Sequence, residues 1–418
     1  MATIPSISMI PSGYKKNKVY SVIPTNGNAD LDFSRTGTAT RINPSGLIET
    51  ILDDVPRLDY TDGSCPSLLL EPLSTNLVDY SELFSNISWA KNGATVASGF
   101  PAPSVDSPLG AFKLVEDTSI GSHYIQSNSF AVEDEDSHTI SVLVKKGESN
   151  FIQLLFGSTR HSNTNFANFD LLNGVIGSFS AGTPNIEPIG DYYKCSFSSE
   201  ATATGSALGF IWKIQSATST RGQSYTGDGT SGVYIFGAQI EKQTSATSYI
   251  PTNGGQQTRN SDSASKVNLV NSINSTQGVL YAEISALSDN ETFRIISLSD
   301  NSFNNRVSIM YDTTSNRIRG QVLLGGLTQA AITFVVTDIK EYSKVAFKYS
   351  NNDFSLWVDG VKVGTDNNGS VMTENTLNKI SFDAGSSSAS TNFYGKCKDL
   401  RVFKNALSDE ELTILTTV

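Results

Sequence analysis

The strongest constraint in this chain is a two-residue alternation of apolar and polar side chains, repeated in short runs that Gly, Asn or Ser cut off. Val307, Ile309 and Tyr311 alternate with Ser308 and Met310, and Val345, Phe347 and Tyr349 alternate with Ala346 and Lys348. Phe354, Leu356 and Val358 follow, and then Asp359 and Gly360. A period of two places one set of side chains on one face of an extended strand. Asp-Gly supplies the positive φ that a two-residue hairpin prefers. Earlier in the chain Ile140, Val142 and Val144 are set against Ser141, Leu143 and Lys145, with further runs at 151–156 and 233–240. Many short strands at this spacing predict an all-β chain of antiparallel β-sandwich, or jelly-roll, domains. One helix stands out, where Ser408 and Glu411 form a capping box before Leu412, Ile414 and Leu415. It is expected to lid the edge of the last sandwich.

A chain of 418 residues exceeds what one core usually serves, so two or three domains are expected. Residues 1–75 are punctuated by Pro and Gly, as at Ile10 to Tyr14, Ile23 to Gly27 and Asn43 to Gly46, and are expected to wrap or anchor to a neighbour rather than hold a core. Residues 76–262 and 266–418 each carry the strand grammar of a sandwich. Ile23 to Gly27 recurs as Ile250 to Gly254, each followed by a Thr-Arg pair at 40–41 and 258–259. The echo arises either by chance or because both copies mark the entrance and exit of a domain.

Charge excludes one class of partner. The net charge of −11 argues against nucleic acid, which needs clustered Lys and Arg to release counterions, and Lys15, Lys16 and Lys18 fit a solvated loop. Cys65, Cys195 and Cys397 lie too far apart in sequence for a metal motif and are odd in number, so free thiols, buried or half-buried, are expected. No signal peptide is visible in residues 1–11, and no apolar run approaches the ~20 residues of a membrane helix. A soluble product made in a reducing compartment, without insertion into a membrane, is the corresponding expectation.

Three resemblances follow from specific residues. The last region, through 345–349, 354–365, 380–385 and 393–412, resembles the concanavalin A-like or laminin G-like superfamily. Lys396, Cys397 and Lys398 precede Asp399 where that family usually has an earlier acid, which weakens transfer of a calcium or ligand site. The middle region is similar to carbohydrate-binding jelly rolls: Asn76, Leu77, Val78, Glu82, Phe84 and Trp89 open it, and 234–241 resemble the closing strand. Phe236, Gly237 and Ala238 stand where many such modules carry an Asp pair on a structural calcium, so no cofactor is assigned and structural calcium stays unsupported. The first region, above all Pro56 to Asp59, Tyr60, Gly63 and Cys65 to Pro72, resembles a segment of bacteriophage virion proteins that precedes a jelly roll ending in Tyr-Ile-Pro-Thr, here Tyr249 to Thr252.

Candidate chemistry is sparse. Polysaccharide cleavage needs two carboxylates about 5–9 Å apart, and the Glu-x-Asp-x-x-Glu string of laminarinase-like enzymes is missing. Glu133, Asp134, Glu135 and Asp136 fit a solvated turn, with a calcium loop as the minor alternative. His123, His138 and His161 are expected at the surface or hydrogen-bonded. Glycan binding asks for exposed aromatic rings beside amides. The candidates are Tyr225 and Asp228 in a Gly-rich loop, Tyr124, Trp212, and Trp357, with Asn128 as a further polar partner. Trp89 is expected in the core. Trp357 faces opposite to Leu356 and Val358 and is expected either on the surface or in a contact between domains or subunits.

Together these point to a non-enzymatic, fibre-like virion protein. It would attach to other virion proteins through residues 1–75, bind host cell-surface polysaccharide through its sandwiches, and assemble as the homotrimer the resemblance implies. A purely structural head-fibre, collar or decoration protein and a polysaccharide depolymerase are the alternatives.

Overall fold

The structure, a computed structural model, describes residues 3–386 and 391–418. It is all-β apart from the helix Asp409–Thr416, and every ladder between named strands is antiparallel. The described residues fall into two compact units: one of Met1–Gly37, Ile51–Pro72 and Asn260–Val418, the other of Thr38–Thr50 and Leu73–Arg259. Among them, no helix is long and apolar enough to cross a membrane.

The first unit is a sandwich of an 8-stranded and a 9-stranded sheet. Its hairpin forms where Asp-Gly predicts it: Val358 pairs with Val361, and Asp359 and Gly360 both have positive φ. Ser408 and Glu411 close the capping box. The helix lies over the outward face of the 8-stranded sheet rather than along an edge, packing Leu412 against Val279, Ala346 and Trp357.

Residues 1–75 do not stand apart from this sandwich. The strand Gly395–Phe403 has one side paired with Gln277–Ala286. Its other side is covered by Ser67–Leu70 at Gly395 to Cys397 and by Ile7–Met9 at Leu400 to Val402. In the second sheet Leu31–Ser34 pairs with Ser263–Lys266, and Lys18–Val19 extends it. Ile7, Met9, Val19, Leu31, Phe33, Leu68 and Leu70 are buried in the same core as Leu280, Phe347 and Leu356. These strands satisfy backbone groups that an open edge would leave unpaired.

A buried ion network reinforces the seam. Arg35 Nη1 meets Asp262 at 3.1 Å, Arg57 bonds both Asp262 and Glu71, and the Glu71 backbone N–H donates to Asp262 at 2.8 Å. Burial pulls the Arg57 guanidinium down, but Asp262 and Glu71 outweigh it and hold the group above its ordinary value. Removing one member of such a network strands a buried charge.

The second unit is a jelly roll of two 6-stranded sheets. Ile125, Leu154, Phe169 and Ile211 of one sheet meet Leu114, Val142, Phe197 and Ile235 of the other in its core. Trp89 is buried there as expected, its indole N–H donating to the Tyr80 carbonyl at 2.7 Å. The outward face of the sheet containing Ser137–Lys146 and Gly232–Glu241 is covered by the segment Thr38–Thr50, whose Ile48 joins Leu143, Phe236 and Tyr249 in a second cluster. Residues 1–75 are thus divided between two cores.

Candidate functional site

The other jelly-roll sheet runs in the order Ala90–Asn92, His123–Gln126, Gly209–Lys213, Phe151–Phe156, Phe166–Asp170, Val175–Ser180. Its register puts Asn92 opposite Tyr124, Tyr124 opposite Trp212, Trp212 opposite Gln153, and Gln153 opposite Asn168. The flanking residues Ile125, Ile211, Ile152 and Phe169 point into the core, so this row lies on the outward face. Of the five sequence candidates, Tyr124 and Trp212 come together on this face. Their rings stack with centroids 4.6 Å apart and planes 16° from parallel, and Phe210 meets Tyr124 edge-on at 5.4 Å. Both rings are half-buried, beside exposed Asn92 and half-buried Gln126.

The two amides that end the row serve a loop. Gln153 accepts from the Gly222 N–H at 2.7 Å and donates to the Asn168 carbonyl oxygen at 2.7 Å. Asn168 donates to the Ser219 carbonyl at 2.7 Å, and Arg221 donates to the Phe156 and Asn165 carbonyls at 2.8 and 2.9 Å. Residues 215–224 are therefore held as a wall beside Trp212. Gly222 has φ +65°, and a Cβ there would lie 3.1 Å from the indole, so a side chain would be both strained and crowded. Sequence reasoning missed Gln153 and Asn168; their place beside Trp212 depends on cross-strand register, not on local spacing.

Tyr225 corrects an expectation. Its loop was expected to expose it, but the ring is buried and the hydroxyl donates to Glu116 at 2.7 Å while accepting from Lys213 at 3.1 Å. Lys213 also pairs with Glu116, and His123 packs against the Tyr225 ring at 4.5 Å. Burial, with the Glu116 carboxylate beside it, pushes the Tyr225 phenol well above its usual range. Lys213 and His123 are opposite each other across two strands and face inward, so a buried cation at the end of the sandwich recruits Glu116 and Tyr225 as its partners. Asp228 is exposed but occupied: it accepts from the Thr230 and Ser231 backbone N–H groups, both at 2.7 Å, and the Ser231 hydrogen bonds hold its carboxyl well below the ordinary range. Asn128 is also engaged, accepting from the Asp79 N–H and donating to the Leu77 carbonyl.

Trp357 corrects a second expectation. It does point away from Leu356 and Val358, but only 4% of it is exposed, because Leu407 and Leu412 cover it. Its indole N–H donates to Ser355, and Lys362 sits 5.7 Å from its ring centroid. The cover comes from its own unit.

The remaining sequence candidates sort as follows. His123 is buried, with its ring nitrogens on the Gly93 and Tyr225 carbonyls. His138 and His161 meet edge to face at 5.7 Å, buried against Phe130 and Phe156, and their ring nitrogens have no hydrogen-bond partner among the described residues. Burial, then the neighbouring His138, pushes His161 down to about 4. Among the described residues no group of three or more His, Cys, Asp or Glu is placed to hold a metal ion. Glu133 to Glu135 form an exposed turn, and Asp136 pairs with Lys242 at 2.8 Å. All three cysteines are free; Cys195 and Cys397 are buried, but Cys65 is exposed, since its turn packs against no core.

Residues 259–413, nearly all within the first unit, match the family model of the concanavalin A-like lectin/glucanases superfamily, and the antiparallel sandwich they form is similar to that fold. No curated protein sequence matches the chain. Similar solved structures include the CBM40 module of a Ruminococcus gnavus IT-sialidase, at 15% identity and a TM-score of 0.29, covering 34% of this chain and 83% of that one. Mouse laminin α1 domains LG4-5 match at 10% identity and a TM-score of 0.24, covering 70% and 90%. Trypanosoma rangeli sialidase matches at 11% and 0.30, covering 78% and 63%. Scores this low leave function to the residues themselves.

Proposed function

We propose that this protein is a non-enzymatic, fibre-like bacteriophage virion protein that binds host-surface glycan on the outward face of its jelly roll. The observation that carries the glycan reading is the half-buried Tyr124–Trp212 stack, set between the amide-bearing Asn92 and Gln126 and a loop pinned by Gln153 and Asn168. Sugar rings bring an apolar face to aromatic side chains and hydroxyls to amides. Repetition in a trimer would raise a weak single-site affinity through effective concentration. The virion assignment rests on the resemblance carried by residues 56–72 and 249–252. Attachment to other virion proteins through the first 75 residues would use their outward surfaces, since strands such as Ile7–Met9 and Ser67–Leu70 are part of a sandwich core.

The test is a glycan array and a pull-down on host envelopes with the wild type, Tyr124→Ala and Trp212→Ala, alongside a reducing-end assay. Saturable binding that falls at least about fivefold in both variants, without sugar release, supports the reading; a stacked aromatic contact is worth about 1 kcal/mol or more. Release of reducing ends would replace it with a depolymerase.

A purely structural role, as head fibre, collar or decoration protein, has one observation in its favour. Leu172 and Phe179, each 53% exposed, together with exposed Val175 and Ile176, form an apolar edge around the strand Val175–Ser180. Absence of wild-type binding to any envelope would favour that role.

A further inference from the structure

The outward face of the 9-stranded sheet carries arginines that differ in one respect. In the strands Arg306–Tyr311 and Arg317–Leu324, the residues Val307, Ile309, Tyr311, Ile318 and Val322 point into the core. Arg306, Ser308, Met310, Arg317, Arg319 and Gln321 therefore lie on the opposite face. Arg317 is paired with Asp312 at 2.8 Å. Arg306 and Arg319 have no carboxylate partner among the described residues: Arg306 donates to the Phe303 carbonyl, and Arg319 makes no hydrogen bond or ion pair. The Nε of each is shielded from solvent and unpartnered, although both side chains reach the surface.

Register sets their separation. Arg306 is opposite Leu323, and Arg319 lies four residues along that strand, opposite Met310. Their Cα atoms are thus about 13 Å apart along the sheet, a span that two long side chains bracket. Between them Ser308 lies opposite Gln321, and both are buried beneath this face. The two charges sense one another: burial first, and then Arg319, hold the Arg306 guanidinium below its ordinary value. The nearby acids are engaged elsewhere, Asp300 by Ser302 and Asn305, and Asp383 by Ser381 and the Gly385 N–H. In a chain of net charge −11, two half-buried guanidinium groups without carboxylates on one sheet face are a local excess of cation. A guanidinium presents a planar fork that matches a carboxylate or sulfate in two parallel hydrogen bonds.

We infer that Arg306 and Arg319 form a subsite for the anionic groups of an acidic glycan. This rests on the glycan-binding reading but uses a different unit, so the two are separable.

The experiment measures binding of full-length protein to dextran, dextran sulfate and polygalacturonate of similar length, in the wild type, Arg306→Gln/Arg319→Gln, Arg306→Lys/Arg319→Lys and Trp212→Ala. Wild-type binding to at least one charged polymer, weakening with salt, reduced at least tenfold in the Gln double variant and only partly restored by Lys, supports the subsite. Preference for the sulfated or the carboxylated polymer identifies the anion. Equal charged-polymer affinity in wild type and Gln double variant overturns it, as does wild-type binding to neither charged polymer. Should the Gln variant fold poorly by thermal unfolding, equal affinity and equal salt dependence in the Lys variant would overturn it instead. Loss of the Arg306/Arg319 effect with Trp212-dependent array binding intact sinks only this inference. The reverse pattern sinks only the jelly-roll site.

Discussion

Trp212 and Trp357 occupy comparable positions in the two units. Each lies on a strand between residues that point into a core, and each therefore faces outward. Trp212 stays half-buried, stacked on Tyr124 beside a loop held by two amides, whereas Trp357 is sealed beneath the helix Asp409–Thr416. The difference teaches that alternation determines the face a side chain takes, while a separate element decides whether that face meets water. The same holds within the jelly roll, where Thr38–Thr50 covers one sheet and leaves the other sheet's aromatic pair accessible.

The contrast between covered and open surfaces can be broken in several ways. Removing residues 1–75 takes away edge strands and buried side chains from both units, so the cooperative thermal transition is expected to disappear. A truncated chain that melts cooperatively at the full-length temperature would show these segments to be dispensable. Next in size, Trp357→Ala leaves a cavity under the helix and is expected to cost about 3–5 kcal/mol in chemical denaturation, with glycan binding unchanged.

Acid tests a third covered site. The His161 value is pushed from 6.5 down to about 4 in the folded chain, so between those values the unfolded chain binds more protons. The stabilisation is complete above pH ~6.5 and lost as pH falls toward ~4, a change of about 3 kcal/mol. Neighbouring His138 is also pushed down, by burial first, with Asp136 opposing and Lys242 reinforcing the shift, so it adds a slope of the same sign. His161→Phe, which keeps the stack on Phe156, is expected to flatten it in urea midpoints measured across that range. A variant as acid-sensitive as the wild type would place the effect elsewhere. Smallest in stability is Trp212→Ala, expected to shift unfolding by about 1 kcal/mol or less while lowering glycan affinity at least about fivefold. A large stability loss there would make the open face another covered one.

Much of the fold was legible because its signals are local. The Val345 to Gly360 alternation and hairpin and the Ser408–Glu411 box each involve neighbours in sequence, and each forms as read. The strands of the first 76 residues were not legible: at two to four residues they are too short to show a period, and their partners include residues 263–266 and 395–402. The site was legible in part. Tyr124 and Trp212 could be named but not paired, because 87 positions separate residues 124 and 212 and only register joins them. Tyr225 was misjudged for a related reason. Its Gly-rich surroundings signal a surface turn, but its hydroxyl is taken by Glu116, 109 residues earlier.

The strand Gly395–Phe403 carries a consequence for biosynthesis. Its open side is completed by Ile7–Met9 and Ser67–Leu70, which leave the ribosome long before it does. All segments of the jelly roll, Thr38–Thr50 and Leu73–Arg259, have been made long before that strand emerges. A ribosome stalled before residue 395 would therefore carry one domain able to finish and a second waiting with its earliest strands unpaired. Closure of the first unit's sandwich is in effect a checkpoint on synthesis through residue 403.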